Sequence, residues 1–309
     1  MTALDAFIRE ARARGDRRRD AWLDALPDLI DELAGRWELT VGEPFGGGAI
    51  GYVVAAERTA PASPTVVVLK ATFPEESFPE EVAALAAWDG AGAVRLLDSD
   101  PRGAMLLARA EPGGPLIEDA DEDRALTLAA GVLKRLWRPR PAPAPFMTLA
   151  QETISWSTSM PRRHEEAGRP FERALIVEAV DLIAELAPTQ GEQVLLHGDL
   201  HFGNILDAGG GAWLAIDPKP LVGEREFDVT ALIRDKQGHL MGLPGPDAVA
   251  LLQHRFDLLS EALGCDRRRL RGWSIAVMVD YALWSFETRQ TELGTTQAEC
   301  ARLLRTLSL

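Results

Sequence analysis

Eight consecutive residues, His-Gly-Asp-Leu-His-Phe-Gly-Asn at 197–204, set the first constraint on how this chain folds. The run is polar and contains two glycines, yet apolar residues bound it: Val194, Leu195 and Leu196 before it, Ile205 and Leu206 after it. A second apolar run, Ala-Trp-Leu-Ala-Ile at 212–216, ends at Asp217. The pattern predicts short buried strands that deliver two polar loops, with Asp199 and Asp217 at strand ends facing one cleft.

Asp199, Asn204 and Asp217 are the side chains that phosphoryl transfer requires at such loops. The attacking hydroxyl must be held in line and relieved of its proton, while hard divalent cations with oxygen ligands offset the charge of a triphosphate. One aspartate serves as base; an asparagine five residues on and the later aspartate serve as metal ligands. Taken singly, Asp199 reads better as a turn or cap residue. Joined to Asn204 and Asp217, it reads as a site.

The N-terminal third supplies the other parts of a kinase. Residues 46–53, Gly-Gly-Gly-Ala-Ile-Gly-Tyr-Val, fit G-x-G-x-x-G-x-V through Gly46, Gly48 and Gly51, a loop whose backbone can approach phosphates; a plain hairpin turn fits as well. Thr-Val-Val-Val-Leu at 65–69 is a β-branched strand that ends in Lys70. With four lysines against 29 arginines, a lysine in that place is more than a surface charge. Glu81, Leu85 and Trp88 share one face of a following helix, so Glu81 is the carboxylate expected to orient Lys70, although Glu80 and Glu81 also suit a helix N-terminus electrostatically. No G-x-x-x-x-G-K-[ST] motif occurs, which argues against a P-loop kinase.

At these residues the chain resembles the aminoglycoside phosphotransferase family of the protein-kinase-like superfamily, whose catalytic loop has glycine, here Gly198, where protein kinases have arginine. Ile-Asp-Pro-Lys at 216–219, Leu-Val-Gly-Glu at 221–224, Phe-Asp-Val at 227–229 and Trp-Asp-Gly-Ala-Gly-Ala-Val-Arg-Leu-Leu at 88–97 are similar to the streptomycin 6-kinase and hydroxyurea kinase branch. The resemblance spans about residues 37–290. It implies an α+β, bilobal protein-kinase-like fold: a small antiparallel β-sheet N-lobe with one key helix, and a larger, mainly helical C-lobe. It implies ATP and Mg2+, with Asp199 as base, Asn204 and Asp217 as magnesium ligands, and Lys70 as a phosphate contact supported by Glu81. Phosphates would lie under Gly46, Gly48 and Gly51, and adenine on backbone groups at Arg109 and Ala110, after the apolar run 104–108. Lys219 is either a second phosphate contact or an internal salt-bridge partner, Phe202 stands where relatives often have proline, and Asp228 braces the catalytic loop.

Periodicity divides the chain at about residue 110. Residues 1–36 read as two helices, with Pro27 a kink or restart in the second; short strands at 37–41, 51–56, 66–70, 94–97 and 104–107 surround the Glu81 helix. An N-terminal nucleotide-binding lobe, 1–110, would therefore precede a catalytic and substrate-binding lobe, 111–309. In the latter, helical periodicity covers 125–137, 149–159, 173–186, 228–234, 247–263, 272–289 and 297–307, and the proline-rich 139–145 is an exposed connector.

Composition fits an enzyme of this size. A chain of 309 residues, 46% hydrophobic, can bury one bilobal core or two modest ones. No apolar stretch approaches the ~20 residues that span a bilayer. The charged start around Asp5, Arg9 and Glu10 is not a secretory signal. Cys265 and Cys300 read as free thiols in a reducing cytoplasm. A formal charge of -14 speaks against nucleic acid and for a polar or cationic small-molecule acceptor. The arginines between Arg9 and Arg19 alternate with acids and read as a solvated helix and turn.

A cationic acceptor needs carboxylates, and the C-lobe offers Glu224, Glu226, Asp228, Asp235, Asp280 and Glu287, most of them expected at the surface or in caps. Glu287 is the one assigned to the acceptor pocket, while Trp284 beside it reads as core. Three functions stay open: an aminoglycoside O-kinase acting on a substrate such as streptomycin; a kinase for hydroxyurea, an amino sugar or another small alcohol; and a nucleotide-binding protein without turnover.

Overall fold

A computed structural model of the chain describes residues 2–13, 16–45, 51–59, 65–74, 77–139, 145–236, 240, 242–243 and 245–309. Gly46, Gly48 and most of the proline-rich connector, 140–144, lie outside the described residues. The chain forms two compact units: Met1–Gly113 with Ala208–Gly210, and Gly114–Asp207 with Gly211–Leu309.

In the first unit, α1 (Ala3–Ala13) and α2 (Asp20–Arg36) precede β1 (Leu39–Pro44), β2 (Gly51–Arg58), β3 (Val66–Thr72), α3 (Ser77–Trp88), β4 (Leu96–Asp100) and β5 (Ala104–Ala108). The five strands form one antiparallel sheet in the order β1-β2-β3-β5-β4. Strand parity decides what each face does. Val67, Leu69 and Ala71 of β3 join Val54, Ala56 and Leu106 in a core closed by Leu26, Leu29, Ile30 and Leu33 of α2. Lys70, between Leu69 and Ala71, therefore projects from the opposite face. Pro27 does not restart α2, which runs through it while Leu26, Leu29, Ile30 and Leu33 bury its apolar stripe against the sheet.

The second unit is mainly helical. It contains α4 (Glu122–Leu136), β6 (Arg138–Pro139), α5 (Leu149–Glu166), α6 (Arg173–Leu186), β7 (Gln193–Leu196), β8 (Ile205–Asp207), β9 (Trp213–Ala215), β10 (Leu221–Glu224), α7 (Arg225–Ile233), α8 (Gly245–Leu263), α9 (Arg267–Glu287) and α10 (Thr291–Leu304). β7 lies between β10 and β6, and β8 pairs with β9 as a hairpin. An antiparallel-sheet unit and a helical unit are what the sequence predicts. Three helices outrun their predicted limits by several residues, among them α10, which starts at Thr291 rather than at 297. α5 continues past Pro161 because Met160 and His164 are buried and His164 Nε2 bonds the Phe171 carbonyl at 2.8 Å. α9 starts at Arg267, where an all-arginine turn hides the helical period, because Asp266 caps it by accepting from the N–H groups of Arg268 and Arg269. α9 is buried on most of its surface and packs on α6, α7 and α10; at Gly272 a Cβ would come within 2.8 Å of Leu186.

The facing of β3 is testable by denaturation. Leu69→Ala empties a fully buried position and is expected to cost about 2–5 kcal/mol. Val68→Ala, on the other face and only partly buried, should cost clearly less. Equal losses in urea titrations would contradict the assignment of faces.

Candidate active site

The helical unit builds a tightly held loop after β7. Gly198 has φ +79°, and a Cβ there would lie 1.9 Å from the Lys219 carbonyl oxygen, so the backbone of 197–199 passes directly against the segment after β9. The Lys219 N–H donates to the His197 carbonyl at 2.8 Å. The His197 ring bridges the same two segments: its Nδ1 accepts the Asp199 N–H at 3.3 Å, which leaves Nε2–H to donate to the Ile216 carbonyl at 3.0 Å. Burial lowers the His197 pKa to about 4, in keeping with a neutral ring.

Asp228, on α7, holds the loop from behind. Its carboxylate accepts the His197 N–H at 3.0 Å, the Gly198 N–H at 2.7 Å and the Trp137 indole N–H at 3.1 Å. Burial pushes its carboxyl up to about 6, against the pull of these three donors. Asp235, at the end of the same helical segment, accepts the Phe202 N–H.

Asp199 thus stands at a fixed point, and its carboxylate is shared. Lys219 Nζ donates to Oδ2 at 2.7 Å, Arg234 Nη2 donates to Oδ1 at 2.7 Å, and the Tyr281 hydroxyl donates to Oδ1 at 3.4 Å. Burial would raise the Asp199 pKa, but the charges of Lys219 and Arg234 outweigh it and hold the group at about 2. Asn204 is buried and its Nδ2 donates to the Asp199 carbonyl at 3.0 Å, so the amide oxygen is the atom that could hold a metal. The Asn204 carbonyl accepts the Ile216 N–H at 3.0 Å, one residue before the exposed, left-handed Asp217 (φ +56°). Asn204 and Asp217 therefore lie at the same end of the β8–β9 hairpin. These are hard oxygen donors that suit Mg2+, which takes one or two protein ligands and keeps phosphate and water for the rest. Among the described residues no three His, Cys, Asp or Glu side chains gather as a metal cage would require.

In the sheet unit, Lys70 Nζ donates to Glu81 Oε1 at 2.7 Å, with both side chains largely buried. Gly51 opens β2 opposite Thr72, where a Cβ would meet Thr72 Cγ2 at 2.5 Å, so strand packing alone demands glycine there. Arg109 and Ala110 follow β5; the Arg109 guanidinium lies over the Phe45 ring at 5.4 Å and Ala110 is buried.

The carboxylates expected for an acceptor are mostly engaged inside the protein. Glu224 pairs with Arg269, Glu226 accepts the Asp266 N–H, and both are buried, as are Asp228 and Asp235. They are not surface or cap groups, because arginines and backbone donors distant in sequence satisfy them. Glu287 is clasped by Arg163, which donates through Nε at 2.7 Å and Nη2 at 3.1 Å, and Asp280 takes the third guanidinium nitrogen at 2.6 Å. Trp284, read as core, is 46% exposed and stacks edge-on with Tyr281. Arg234 and Tyr281 went unremarked in the sequence; the only hint is an arginine directly after the buried Ala231, Leu232 and Ile233.

The model of the aminoglycoside/hydroxyurea antibiotic resistance kinase family matches residues 41–288. The chain belongs to this family. It is 36% identical to a streptomycin 6-kinase of Streptomyces glaucescens over 96% of its own length and 94% of that protein. To a hydroxyurea phosphotransferase of Kitasatospora aureofaciens it is 34% identical, over 92% and 80% of the two chains. Among solved structures its fold matches aminoglycoside phosphotransferase APH(4)-Ia, crystallised with ADP and hygromycin B, at TM-score 0.57 and 14% identity over 89% and 97%. The fold is that of protein-kinase-like phosphotransferases, and the chain is a small-molecule phosphotransferase.

The site predicts a pH response. Asp199 stays ionised far into acid, whereas Asp228 takes up a proton as pH falls through about 6, loses an acceptor oxygen and loosens its hold on the His197 and Gly198 N–H groups. The turnover rate should therefore drop on the acid side near pH 6. Asp228→Asn should lower the rate by up to about 10²-fold through misplacement of Asp199, and remove that limb. A limb that survives unchanged in the variant would assign it elsewhere.

Proposed function

We propose that this protein is an ATP- and magnesium-dependent O-phosphotransferase acting on a small-molecule hydroxyl, with an aminoglycoside such as streptomycin as acceptor. The observation that carries the reading is the buried, charged Asp199, locked beside two oxygen donors at one hairpin end. In this reading Asp199 accepts the proton of the attacking hydroxyl, which balances the oxygen's loss of electron density as its bond to phosphorus forms. Asn204 Oδ1 and Asp217 hold the magnesium, which supplies charge neutralisation for the triphosphate when bound. Lys70, oriented by Glu81, binds phosphate oxygens; the glycines Gly46, Gly48 and Gly51 present backbone N–H groups to them, and backbone at Arg109 and Ala110 meets the base. Domain roles follow: 1–110 binds nucleotide and 111–309 supplies catalysis and acceptor binding. The supply of ATP and magnesium places the activity in the cytoplasm.

A second acceptor class is favoured by one specific observation. Arg163 pairs with both Asp280 and Glu287 and cancels one of their two charges, so this part of α9 presents less negative charge than a polycation calls for, and a small neutral hydroxyl such as hydroxyurea suits it. Relatives named for both acceptors lie at similar identity. In an ATP-consumption screen over aminoglycosides, amino sugars and hydroxyurea, turnover with streptomycin supports the first class and turnover with hydroxyurea alone the second; silence across the panel defeats both. Asp199→Ala should lose about 10²–10⁴-fold in rate while still binding magnesium-ATP. Asp217→Ala should instead weaken magnesium-dependent nucleotide binding, and normal metal dependence in it would remove Asp217 from the site.

A further inference from the structure

A base must present a lone pair to the hydroxyl it deprotonates, with the two oxygens about 2.6–3.2 Å apart. Both oxygens of Asp199 already accept from cations. Arg234 and Tyr281 share Oδ1, and Arg234 is in no position to withdraw: its side chain is 15% exposed and its guanidinium sits 4.3 Å over the Tyr281 ring. Oδ2, which has room for a second donor, accepts Lys219 Nζ at 2.7 Å, and the Lys219 side chain is 62% exposed on a flexible stem. Its backbone is pinned, by the bond to the His197 carbonyl and by the close approach to Gly198, so only the side chain is at liberty to move.

Where Lys219 goes follows from the geometry of the reaction. In-line attack places phosphorus about 3–3.5 Å from the hydroxyl oxygen. An ammonium at Oδ2, beside that hydroxyl, therefore has phosphoryl oxygens within a few ångström, and they carry more negative charge than the carboxylate it pairs with.

We propose that Lys219 exchanges partners, pairing with Asp199 Oδ2 in the free enzyme and moving to the γ-phosphoryl group when ATP binds. Oδ2 is then open to the hydroxyl. As the oxygen–phosphorus bond forms, the bond from phosphorus to the β,γ-bridging oxygen breaks with its electron pair leaving on ADP, and the hydroxyl proton passes to Asp199. Arg234 remains the fixed partner that keeps the carboxylate in place. The inference rests on the phosphotransferase reading and adds to it a catalytic residue outside the metal site.

The test uses the full chain with Lys219→Met and Lys219→Arg. Calorimetric titration compares a magnesium-bound, non-hydrolysable ATP analogue with ADP, and turnover is followed with the acceptor found by screening. Lys219→Met should bind the analogue about tenfold more weakly and ADP unchanged, with turnover reduced by about 10²–10³-fold. Lys219→Arg should recover most of the analogue's affinity. Weakening of both nucleotides alike, or of neither, overturns the proposal. If the unaltered protein phosphorylates no acceptor, the functional reading falls, whereas the contrast between analogue and ADP still decides the role of Lys219.

Discussion

A carboxylate withdrawn from water resists ionisation, and one that stays charged in a buried loop needs compensation close at hand. Asp199 has it on both oxygens, from Arg234 on one side and Lys219 on the other. Much of the surrounding architecture serves to keep that arrangement in register. The left-handed Gly198 lets the loop press against the Lys219 backbone, the His197 ring ties the loop to Ile216, and Asp228 collects the N–H groups that a turn at this point leaves unpaired. Arg255, almost fully buried, donates to the Ile233 and Asp235 carbonyls and so secures the end of α7 that presents Arg234.

The two cations differ in what they allow. Arg234 is stacked and enclosed, which suits a permanent counter-charge; Lys219 is exposed and flexible, which suits a partner that leaves. A carboxylate held at about 2 is a weak base, yet a loose phosphoryl-transfer transition state asks little of the base until bond formation is well advanced. Orientation of the hydroxyl then matters more than proton affinity.

Those parts of the site that lie close together in sequence were legible there. Asp199, Asn204 and Asp217 fall within one stretch whose strands announce themselves by apolar runs, and Lys70 with Glu81 is set by strand parity followed by helical spacing. What escaped depends on contacts between distant elements. Arg234 and Tyr281 reach Asp199 from helices 35 and 82 residues further along the chain. The pairing of Glu287 with Arg163, 124 residues earlier, is hidden from the sequence in the same way. Trp284 escaped for a related reason: nothing in its aromatic run reveals which side of α9 the neighbouring helices leave uncovered.

The proposed function requires that Asn204 and Asp217 of the helical unit and Lys70 of the sheet unit serve one nucleotide. It is tested most directly by a crystal structure of the protein with a non-hydrolysable ATP analogue and manganese, the metal located by its anomalous signal. The account predicts manganese bound by Asn204 and Asp217 to phosphates that Lys70 also contacts, with Asp199 beside the γ-phosphoryl group. Manganese bound away from Asn204 and Asp217, or phosphates out of reach of Lys70, would contradict it.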